Sequence, residues 1–195
     1  WTRNLTPALA AALSQALSGL GIARLTLGRD TVFETAVPQV RLGGARVALP
    51  SNPFLQSTRE GEAALQEQVR KIVGKTKSVA DLFSGVGTFA LPLAAKAKVH
   101  AVEQDAEALA ALGMAVKGAK GLKPVTTEKR DLFKLPLTAL ELKPYDAVVL
   151  DPPRAGAEAQ ARVLARSKVP VIAYVSCNAD SFARDAAILV AGGYR

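Results

Sequence analysis

The sequence Asp81-Leu82-Phe83-Ser84-Gly85-Val86-Gly87-Thr88-Phe89-Ala90 joins two apolar runs through a pair of closely spaced glycines. Glycine lets the backbone turn sharply and approach a ligand without a Cβ atom, and a helix that starts after the turn presents free amide groups. The pattern predicts a strand, a nucleotide-binding turn and a helix. Written as Gly85-x-Gly87-x-x-Ala90, it also fits a dinucleotide fingerprint, so the turn alone does not distinguish NAD from S-adenosylmethionine.

Carboxylates near the turn favour the cationic ligand. Asp81 lies four residues before Gly85, where it would repel a pyrophosphate and attract the ammonium group of S-adenosylmethionine. Glu103 lies 18 residues after Gly85 and is placed to accept hydrogen bonds from both ribose hydroxyls of either ligand. Asp131 follows a weaker predicted strand and is a candidate for the adenine amino group, or alternatively a helix cap or solvated turn residue. The predicted cofactor site also includes Phe83, Gly85, Gly87 and Thr88.

The rest of the chain alternates apolar strands with helices. Near-continuous apolar runs are typical of parallel strands that are covered on both faces. Predicted strands span residues 78–83, 98–102, 145–150 and 169–176, with a weaker one at 124–127. Predicted helices span residues 59–73, 88–96, 106–117, 158–167 and 181–191. This order predicts an α/β, Rossmann-like fold with a mostly parallel sheet and helices on both faces.

The first 50 residues have a different pattern. Leucines recur at helical spacing between Leu5 and Leu20, and β-rich runs follow at residues 22–27, 31–37 and 45–49. We expect a helix and a small antiparallel meander, so that residues 1–50 form a small N-terminal α+β segment and residues 51–195 form the main domain. A length of 195 residues suits one full domain with such an appendage.

The amino-acid composition limits which binding partners and which cellular compartment we expect. The 25 Lys and Arg against 17 Asp and Glu give a formal charge of +8, which favours an anionic partner such as nucleic acid, although a moderately basic solvated surface explains it as well. A single Cys excludes an internal disulfide, and one His with one Cys cannot form a structural zinc site, so we predict no metal. The sequence shows neither a secretory leader nor a membrane-length apolar run, and we expect a cytoplasmic protein.

Two further predicted strands end in residues suited to catalysis. The strand at 145–150 leads into Asp151-Pro152-Pro153-Arg154, whose prolines hold the carboxylate in a rigid turn. The strand at 169–176 leads into Cys177-Asn178, just before a helix start, where the helix N-terminus favours a thiolate. A free Cys is more often a buried packing residue, but the carboxyl ends of parallel strands lie along one edge of a sheet. We therefore expect the cofactor turn, Asp151 and Cys177 to converge.

In order and spacing, three motifs resemble those of the bacterial RNA 5-methyluridine methyltransferases, which modify ribosomal or transfer RNA. They are Asp81-Leu82-Phe83-Ser84-Gly85-Val86-Gly87, Asp151-Pro152-Pro153-Arg154 and Tyr174-Val175-Ser176-Cys177-Asn178, within a match over residues 54–195. The resemblance implies a class I S-adenosylmethionine-dependent methyltransferase fold with Gln56 at the methionine end of the cofactor. It also implies that Cys177 attacks the base, that Asp151, beside the cofactor, binds and polarises it, and that Arg154 and Asn178 contact the substrate.

The chemistry of uracil explains why a cysteine is needed. Carbon 5 is a poor nucleophile, but thiolate addition at carbon 6 makes an enolate that can attack the sulfonium methyl group. A base must then remove the carbon 5 proton, and in the family this base is a glutamate in strands that would follow Arg195. The family's amino-terminal RNA-binding barrel and the iron–sulfur cysteines of some members are also not in this sequence, which begins at Trp1. We expect a catalytically incomplete piece of a longer protein.

Several alternatives stay open. A cytosine-C5 methyltransferase would usually carry a Pro-Cys pair in the turn that here contains Asp151, and an amino-methyltransferase would prefer an aromatic residue at Arg154. Another RNA or DNA methyltransferase, an NAD-dependent oxidoreductase and a non-catalytic RNA-binding module are further candidates. The expected partner is RNA, with 23S rRNA preferred and tRNA possible, and we expect a monomer without a membrane partner. His100 is expected to be structural, and Arg184 and Asp185 solvated or capping residues.

Overall fold

The N-terminal segment folds into one helix and two separate β-hairpins in the computed structural model, which describes residues 6–28 and 30–195. Thr6 caps the helix by accepting a hydrogen bond from the Leu9 amide at 3.2 Å, and the predicted helix start at Leu5 lies outside the described residues. Both hairpins are antiparallel. The elements are α1 (Pro7–Leu17), β1 (Arg24–Leu27), β2 (Asp30–Glu34), β3 (Gln39–Leu42) and β4 (Ala45–Ala48).

The expected three-stranded meander was wrong. β1 pairs with β2 and β3 with β4, and within residues 6–28 and 30–195 no strand pairing joins the two hairpins. The run predicted over residues 31–37 ends at Glu34, and an extra strand, β3, follows Pro38. Proline has no N–H to donate to a strand ladder. The turn Gly43-Gly44, with φ angles of +55° and +90°, has the positive φ values that a two-residue hairpin turn needs.

Five parallel strands form the main sheet. They are β5 (Ser78–Leu82), β6 (Lys98–Glu103), β7 (Val125–Lys129), β8 (Ala147–Leu150) and β9 (Val171–Tyr174). Their order is β7-β6-β5-β8-β9, so the chain moves outward from β5 on one side and then returns to its other side. A ligand crevice opens at such a reversal, outside the carboxyl ends of the strands. The predicted parallel strands are confirmed, and β9 is two residues shorter at each end than predicted.

Helices cover both faces of this sheet. The predicted helix at 88–96 is shorter, because the cofactor turn continues to Phe89 before α3 begins. The short α5 was not predicted, and its first turn is closed by a capping box between Thr138 and Glu141. α7 begins two residues earlier than predicted, because the Asn178 side chain accepts hydrogen bonds from the amides of Asp180 and Ser181. The helices are α2 (Arg59–Val73), α3 (Ala90–Ala94), α4 (Ala106–Gly118), α5 (Ala139–Leu142), α6 (Glu158–Leu164) and α7 (Ala179–Ala191).

The hydrophobic core lies in two layers, one on each face of the sheet. Alternate residues of β5 divide between them, with Val79 in one layer and Ala80 in the other. The layer that contains Val79 also includes Leu42 and Val47 of the second hairpin. Gly43 lies so close to α3 that a Cβ atom on it would be 2.4 Å from the Pro92 nitrogen. Across residues 6–28 and 30–195, we find no helix long and apolar enough to cross a bilayer.

Candidate active site

A cavity of about 320 Å³ lies at the carboxyl edge of β5, β6, β8 and β9. It brings together residues that are far apart in the sequence, as the strand ends predicted. Of the predicted site residues, six line it: Gln56, Phe83, Gly85, Glu103, Asp151 and Cys177. Four other lining residues belong to the motifs quoted above, and four were not predicted as site residues. The first four are Pro152, Pro153, Val175 and Ser176, and the second four are Phe54, Leu65, Gln104 and Phe133.

The two glycines of the cofactor turn serve different purposes. Gly85 has φ of +53°, and a Cβ atom there would meet nothing within 4 Å, so its backbone faces open space. Gly87 has φ of +99°, and a Cβ atom there would lie 2.6 Å from Leu112 Cδ1. The first glycine therefore lets a ligand approach the backbone, and the second lets the turn pack against α4.

Phe83 connects β5 to this turn in a strained conformation. Its φ of +63° is in the left-handed region, which a bulky side chain rarely adopts. The Phe83 amide donates to the Val102 carbonyl at 2.9 Å, and the Ser84 amide donates to the same carbonyl at 3.1 Å. The Phe83 ring packs on the Phe133 ring with a centroid distance of 5.4 Å. These contacts hold the strained residue at the wall of the cavity, and such strain is typical of ligand sites.

The Glu103 carboxylate is fixed beside the turn by three backbone amides. It accepts hydrogen bonds from the amides of Gly85 at 3.1 Å, Gln104 at 2.8 Å and Asp105 at 2.9 Å. A carboxylate has about four acceptor positions, so at least one acceptor position is left for a ligand. The contact with Gly85 links Glu103 directly to the cofactor turn.

Asp81 is fully buried at the end of β5. Among the described residues, neither of its carboxylate oxygens has a hydrogen-bond partner, and the Ser84 hydroxyl is also unpaired. Burial raises the pKa of Asp81 well above its usual range, and nearby Asp151 and Glu103 raise it further. The backbone amide of Ala90 lowers this pKa, although it does not reach hydrogen-bond geometry with either oxygen. Unpaired buried oxygens beside two other acidic groups fit a cationic hydrogen-bond donor, such as the ammonium group of S-adenosylmethionine.

Asp151 lies at the end of β8 and is partly shielded from solvent. Burial raises the pKa of its carboxyl group to about 6. The Gln56 side-chain amide donates to Asp151 Oδ2 at 3.4 Å, so the segment before α2 reaches across the cavity to the catalytic candidate. The Asp151 backbone amide donates to the Leu82 carbonyl at 3.3 Å, which anchors the residue to the central strand.

Cys177 presents an exposed thiol two residues before α7. It lines the cavity that Asp151 also lines, and it borders a second groove, of about 500 Å³, between α2 and β9. The Ser176 hydroxyl accepts from the Asn178 amide at 3.1 Å and donates to the Asn178 carbonyl at 3.0 Å. The Asn178 side chain itself caps α7 and lines the second groove rather than the 320 Å³ cavity.

The remaining predicted site residues lie away from the cavity wall. Thr88 is buried behind the turn, where its carbonyl accepts from the Gln66 side chain at 3.1 Å. Asp131 Oδ1 accepts from the amides of Phe133 at 3.1 Å and Lys134 at 3.4 Å, which is the turn-capping role that was the alternative for this residue. Arg154 is exposed. Phe133 was missed because it follows a strand end by several residues, and only the loop geometry returns it to the cavity.

Of the two roles expected for Asp185, solvated or capping, the solvated one was wrong. Its side chain is fully buried, and it accepts hydrogen bonds from the Ala157 amide and the Tyr174 hydroxyl, each at 2.6 Å. The residue lies on the inner side of α7, where it faces the loop that follows Asp151. Spacing along a helix did not reveal this, because a single acidic residue in an amphipathic helix usually faces water.

The sequence of this chain matches a known family over most of its length. Residues 23–191 match the profile described as tRNA (uracil-5-)-methyltransferase. An uncharacterized RNA methyltransferase of Rhizobium meliloti is 52% identical over 189 residues, which cover 97% of this chain and 46% of that protein. The 23S rRNA (uracil(1939)-C(5))-methyltransferase of Chromohalobacter salexigens is 44% identical over 119 residues, 60% of this chain and 24% of that protein. The chain thus spans less than half the length of these relatives.

A solved structure supports the same relationship. The tRNA (uracil-54, C5)-methyltransferase of Pyrococcus abyssi, in complex with S-adenosyl-L-homocysteine, superposes with a TM-score of 0.69 at 29% identity. The superposition covers 84% of this chain and 39% of that one. The family match and the superposition agree, and the chain belongs to the tRNA (uracil-5-)-methyltransferase family.

Proposed function

We propose that the protein methylates carbon 5 of uracil in RNA, with S-adenosylmethionine as methyl donor and Cys177 as covalent nucleophile. The observation that carries this proposal is the shared cavity, whose wall contains the Cys177 thiol, the Asp151 carboxyl group and the cofactor turn at Gly85. A base attacked by the thiol would therefore lie next to a methyl donor bound at the turn. Family membership and the relatives described as RNA methyltransferases support this assignment.

The cofactor would be held by residues at the carboxyl ends of β5, β6 and β7 and by the segment before α2. Glu103 would accept hydrogen bonds from the ribose hydroxyls, Asp81 would meet the ammonium group, and Gln56 would contact the methionine end. Asp131 Oδ2, which is paired only with the exposed Lys134 side chain at 3.4 Å among the described residues, is the acceptor that remains for the adenine amino group. When bound, S-adenosylmethionine supplies an electrophilic methyl group on a sulfonium centre.

Cys177 and Asp151 would carry the chemistry on the base. The Cys177 thiolate adds to carbon 6 of uracil, the C5–C6 π electrons move toward O4, and carbon 5 becomes nucleophilic. Asp151 binds and polarises the ring as this charge develops. After carbon 5 takes the methyl group, a base removes the carbon 5 proton and the C6–S bond breaks to restore the double bond. The family's glutamate base would follow Arg195, so the proposal concerns the intact protein.

For the substrate we favour ribosomal RNA. The relative that is 44% identical acts on uracil 1939 of 23S rRNA, whereas the tRNA enzyme from P. abyssi is 29% identical. We also propose that the protein works as a monomer in the cytoplasm, where an exposed thiol such as Cys177 stays reduced. We propose that residues 1–50 form a small N-terminal segment and that residues 51–195 form the main domain. The hydrophobic cores of the two parts are continuous.

Mapping of 5-methyluridine by mass spectrometry of RNA fragments tests this function. We expect cells that lack the gene to lose 5-methyluridine at one position of 23S rRNA, and a plasmid copy to restore it. Loss from tRNA instead would correct the substrate but keep the reaction. Loss of 5-methylcytidine with all 5-methyluridine retained would identify a cytosine-C5 methyltransferase. Tighter binding of NAD than of S-adenosylhomocysteine by the protein would favour an oxidoreductase and contradict the proposal.

A further inference from the structure

A polar cluster centred on the buried Asp185 lies beside the segments that carry the candidate catalytic residues. We call Tyr174, Arg184 and Asp185 the Asp185 bracket. Asp185 is fully buried, and its Oδ2 accepts from the Tyr174 hydroxyl and the Ala157 amide, each at 2.6 Å. Its Oδ1 accepts from Arg184 Nε at 2.8 Å. A buried carboxylate is costly unless it is paired and hydrogen-bonded, and this one is bonded by three partners from three parts of the chain.

One side of the bracket holds the loop that carries Asp151. Arg184 Nη2 donates to the Ala155 carbonyl at 2.9 Å, and the Ala157 amide donates to Asp185. Gly156, between them, has φ of +78°, and a Cβ atom there would lie 2.6 Å from both Arg184 Nη2 and Asp185 Oδ2. The loop therefore lies directly on the two side chains, and only glycine permits this approach.

The other side of the bracket holds the strand that leads to Cys177. Tyr174 is the last residue of β9, three residues before Cys177. Burial, and then the hydrogen bond with Asp185, raises the pKa of Tyr174 well above its usual value, so the phenol stays protonated and donates. Its hydroxyl also accepts from the Ala157 amide at 3.1 Å. Tyr174 and Asp185 thus bind the same backbone amide from two different elements.

From this geometry we propose that the Asp185 bracket fixes the position of Asp151 relative to Cys177. The inference rests on the proposed function, in which both residues act on one uracil ring. Asp185 and Arg184 do not line the cavity, so they are positioning residues and not catalytic ones. Displacement by about 1 Å of a group that orients the substrate can reduce a rate by roughly a hundred-fold. The bracket would hold the loop after β8 and the end of β9 within that tolerance.

The test uses Asp185→Asn and Tyr174→Phe in the intact protein. In single-turnover methyl transfer to uridine RNA, we expect Asp185→Asn to be about 100-fold slower and Tyr174→Phe about 10-fold slower, with the affinity for S-adenosylhomocysteine unchanged. The double variant should be no slower than Asp185→Asn, because both changes act through one network. The pKa that defines the acid limb of the pH–rate profile should also be lower than in wild type. A looser loop admits water to Asp151, and weaker burial raises its pKa less.

Gln160→Met is the matched control. Gln160 is also fully buried, and its side chain bonds both the amide of Leu137, at 2.8 Å, and the carbonyl of Leu137, at 3.1 Å. Its loss should lower the melting temperature and leave the methyl-transfer rate unchanged. If Asp185→Asn does not fold, the milder Tyr174→Phe carries the test. If the wild type is active and the folded Asp185→Asn and Tyr174→Phe variants react at the same rate as it does, the positioning role is wrong but the proposed function stands. A wild type that methylates no uracil would overturn the proposed function and, with it, this inference.

Discussion

Asp81 is a buried carboxyl group without a hydrogen-bond partner among the described residues. Such a group destabilises a folded protein unless a ligand pairs with it. Its neighbours Asp151 and Glu103 are acidic and raise its pKa further, so they make a cationic ligand more favourable at this position than an anionic one. At the residue scale, these observations support the proposal that Asp81 meets a positively charged group of the cofactor.

The first prediction concerns the cofactor. We expect Asp81→Asn to weaken binding of S-adenosylhomocysteine by about 10- to 100-fold, because a hydrogen bond between charged groups contributes roughly 1.5–3 kcal/mol. Isothermal titration measures the change. The control is Asp146→Asn, since the Asp146 carboxylate bonds the amides of Lys77 and Ser78 at the opposite edge of the sheet. Equal affinity of Asp81→Asn and wild type would show that Asp81 does not meet the ammonium group.

The second prediction concerns pH and Asp151. The carboxyl pKa is raised from 3.8 to about 6 in the folded protein, so the protonated form is favoured by folding. The contribution of this carboxyl group to the stability of the folded protein is fully present below its pKa in the unfolded state, and it is lost as pH rises through about 6. Relative to Asp151→Asn, the free energy of unfolding of the ligand-free wild type should therefore fall by about 2 to 3 kcal/mol between pH 4 and pH 7.

Denaturant unfolding at several pH values measures this difference. Glu141 supplies a control of opposite sign, because hydrogen bonds from Arg130 lower its pKa to about 2. Wild type should therefore lose stability relative to Glu141→Gln as pH falls below the ordinary carboxyl range. A difference between wild type and Asp151→Asn that does not vary with pH would contradict the raised pKa of Asp151.

Individual site residues were predictable to different extents. Glu103, Asp151 and Cys177 each follow a parallel strand, and this position alone predicted that they meet at one edge. Phe133 and Asp185 were not predictable, because their roles depend on how a loop and a helix face fold back on the strands. The sequence allowed Asp131 either to bind the adenine amino group or to act as a cap or solvated turn residue, and it could not distinguish between these roles.

At the scale of elements, the β3–β4 hairpin packs closely against α3, the helix that follows the cofactor turn. The β3–β4 turn touches the backbone of α3 at Leu91 and Pro92, and Leu42, Ala45 and Val47 are buried in the adjoining core. The hairpin thus packs against the helix that directly follows the cofactor turn.

The third prediction compares Gly43→Ala with Gly44→Ala. Both glycines have positive φ, so each substitution costs about 1 kcal/mol in backbone strain. A Cβ atom on Gly44 meets nothing within 4 Å, whereas one on Gly43 would lie 2.4 Å from the Pro92 nitrogen. Gly43→Ala should therefore destabilise the protein by roughly 1 to 3 kcal/mol more than Gly44→Ala, as judged by chemical denaturation. Equal effects of the two substitutions would show that the hairpin is not held against α3.

The elements differ in how well the sequence predicts them. Strands such as β5 and β8 are buried on both faces, and a continuous apolar run of this kind has few alternatives. The strands β1 and β2 have no fully buried residue, so little in their sequence fixes their ends, and β3, between Pro38 and Gly43, was not predicted. In that region, tertiary pairing and not the local sequence pattern determined where the strands begin and end.

At the scale of the whole molecule, a net positive charge is combined with an acidic cavity. The formal charge is +8, whereas the cavity wall carries Glu103 and Asp151, with Asp81 nearby. This combination supports the proposed function, in which the positive charge would attract RNA phosphates and the carboxylates would attract the cationic end of the cofactor. The overall α/β fold was predicted from the alternation of strands and helices, whereas the continuity of the core between the hairpin and the main sheet was not.

The most direct test of the account is covalent trapping with 5-fluorouridine RNA and S-adenosylmethionine. Fluorine at carbon 5 cannot leave as a proton does, so the thioether between enzyme and base should persist after methyl transfer. We predict that peptide mass spectrometry of the intact protein finds the methylated nucleotide attached to Cys177. The Cys177→Ala variant should form no adduct and transfer no methyl group, yet bind S-adenosylhomocysteine like wild type. Methyl transfer to uridine RNA by Cys177→Ala at the wild-type rate, or an adduct on another residue, would contradict the account.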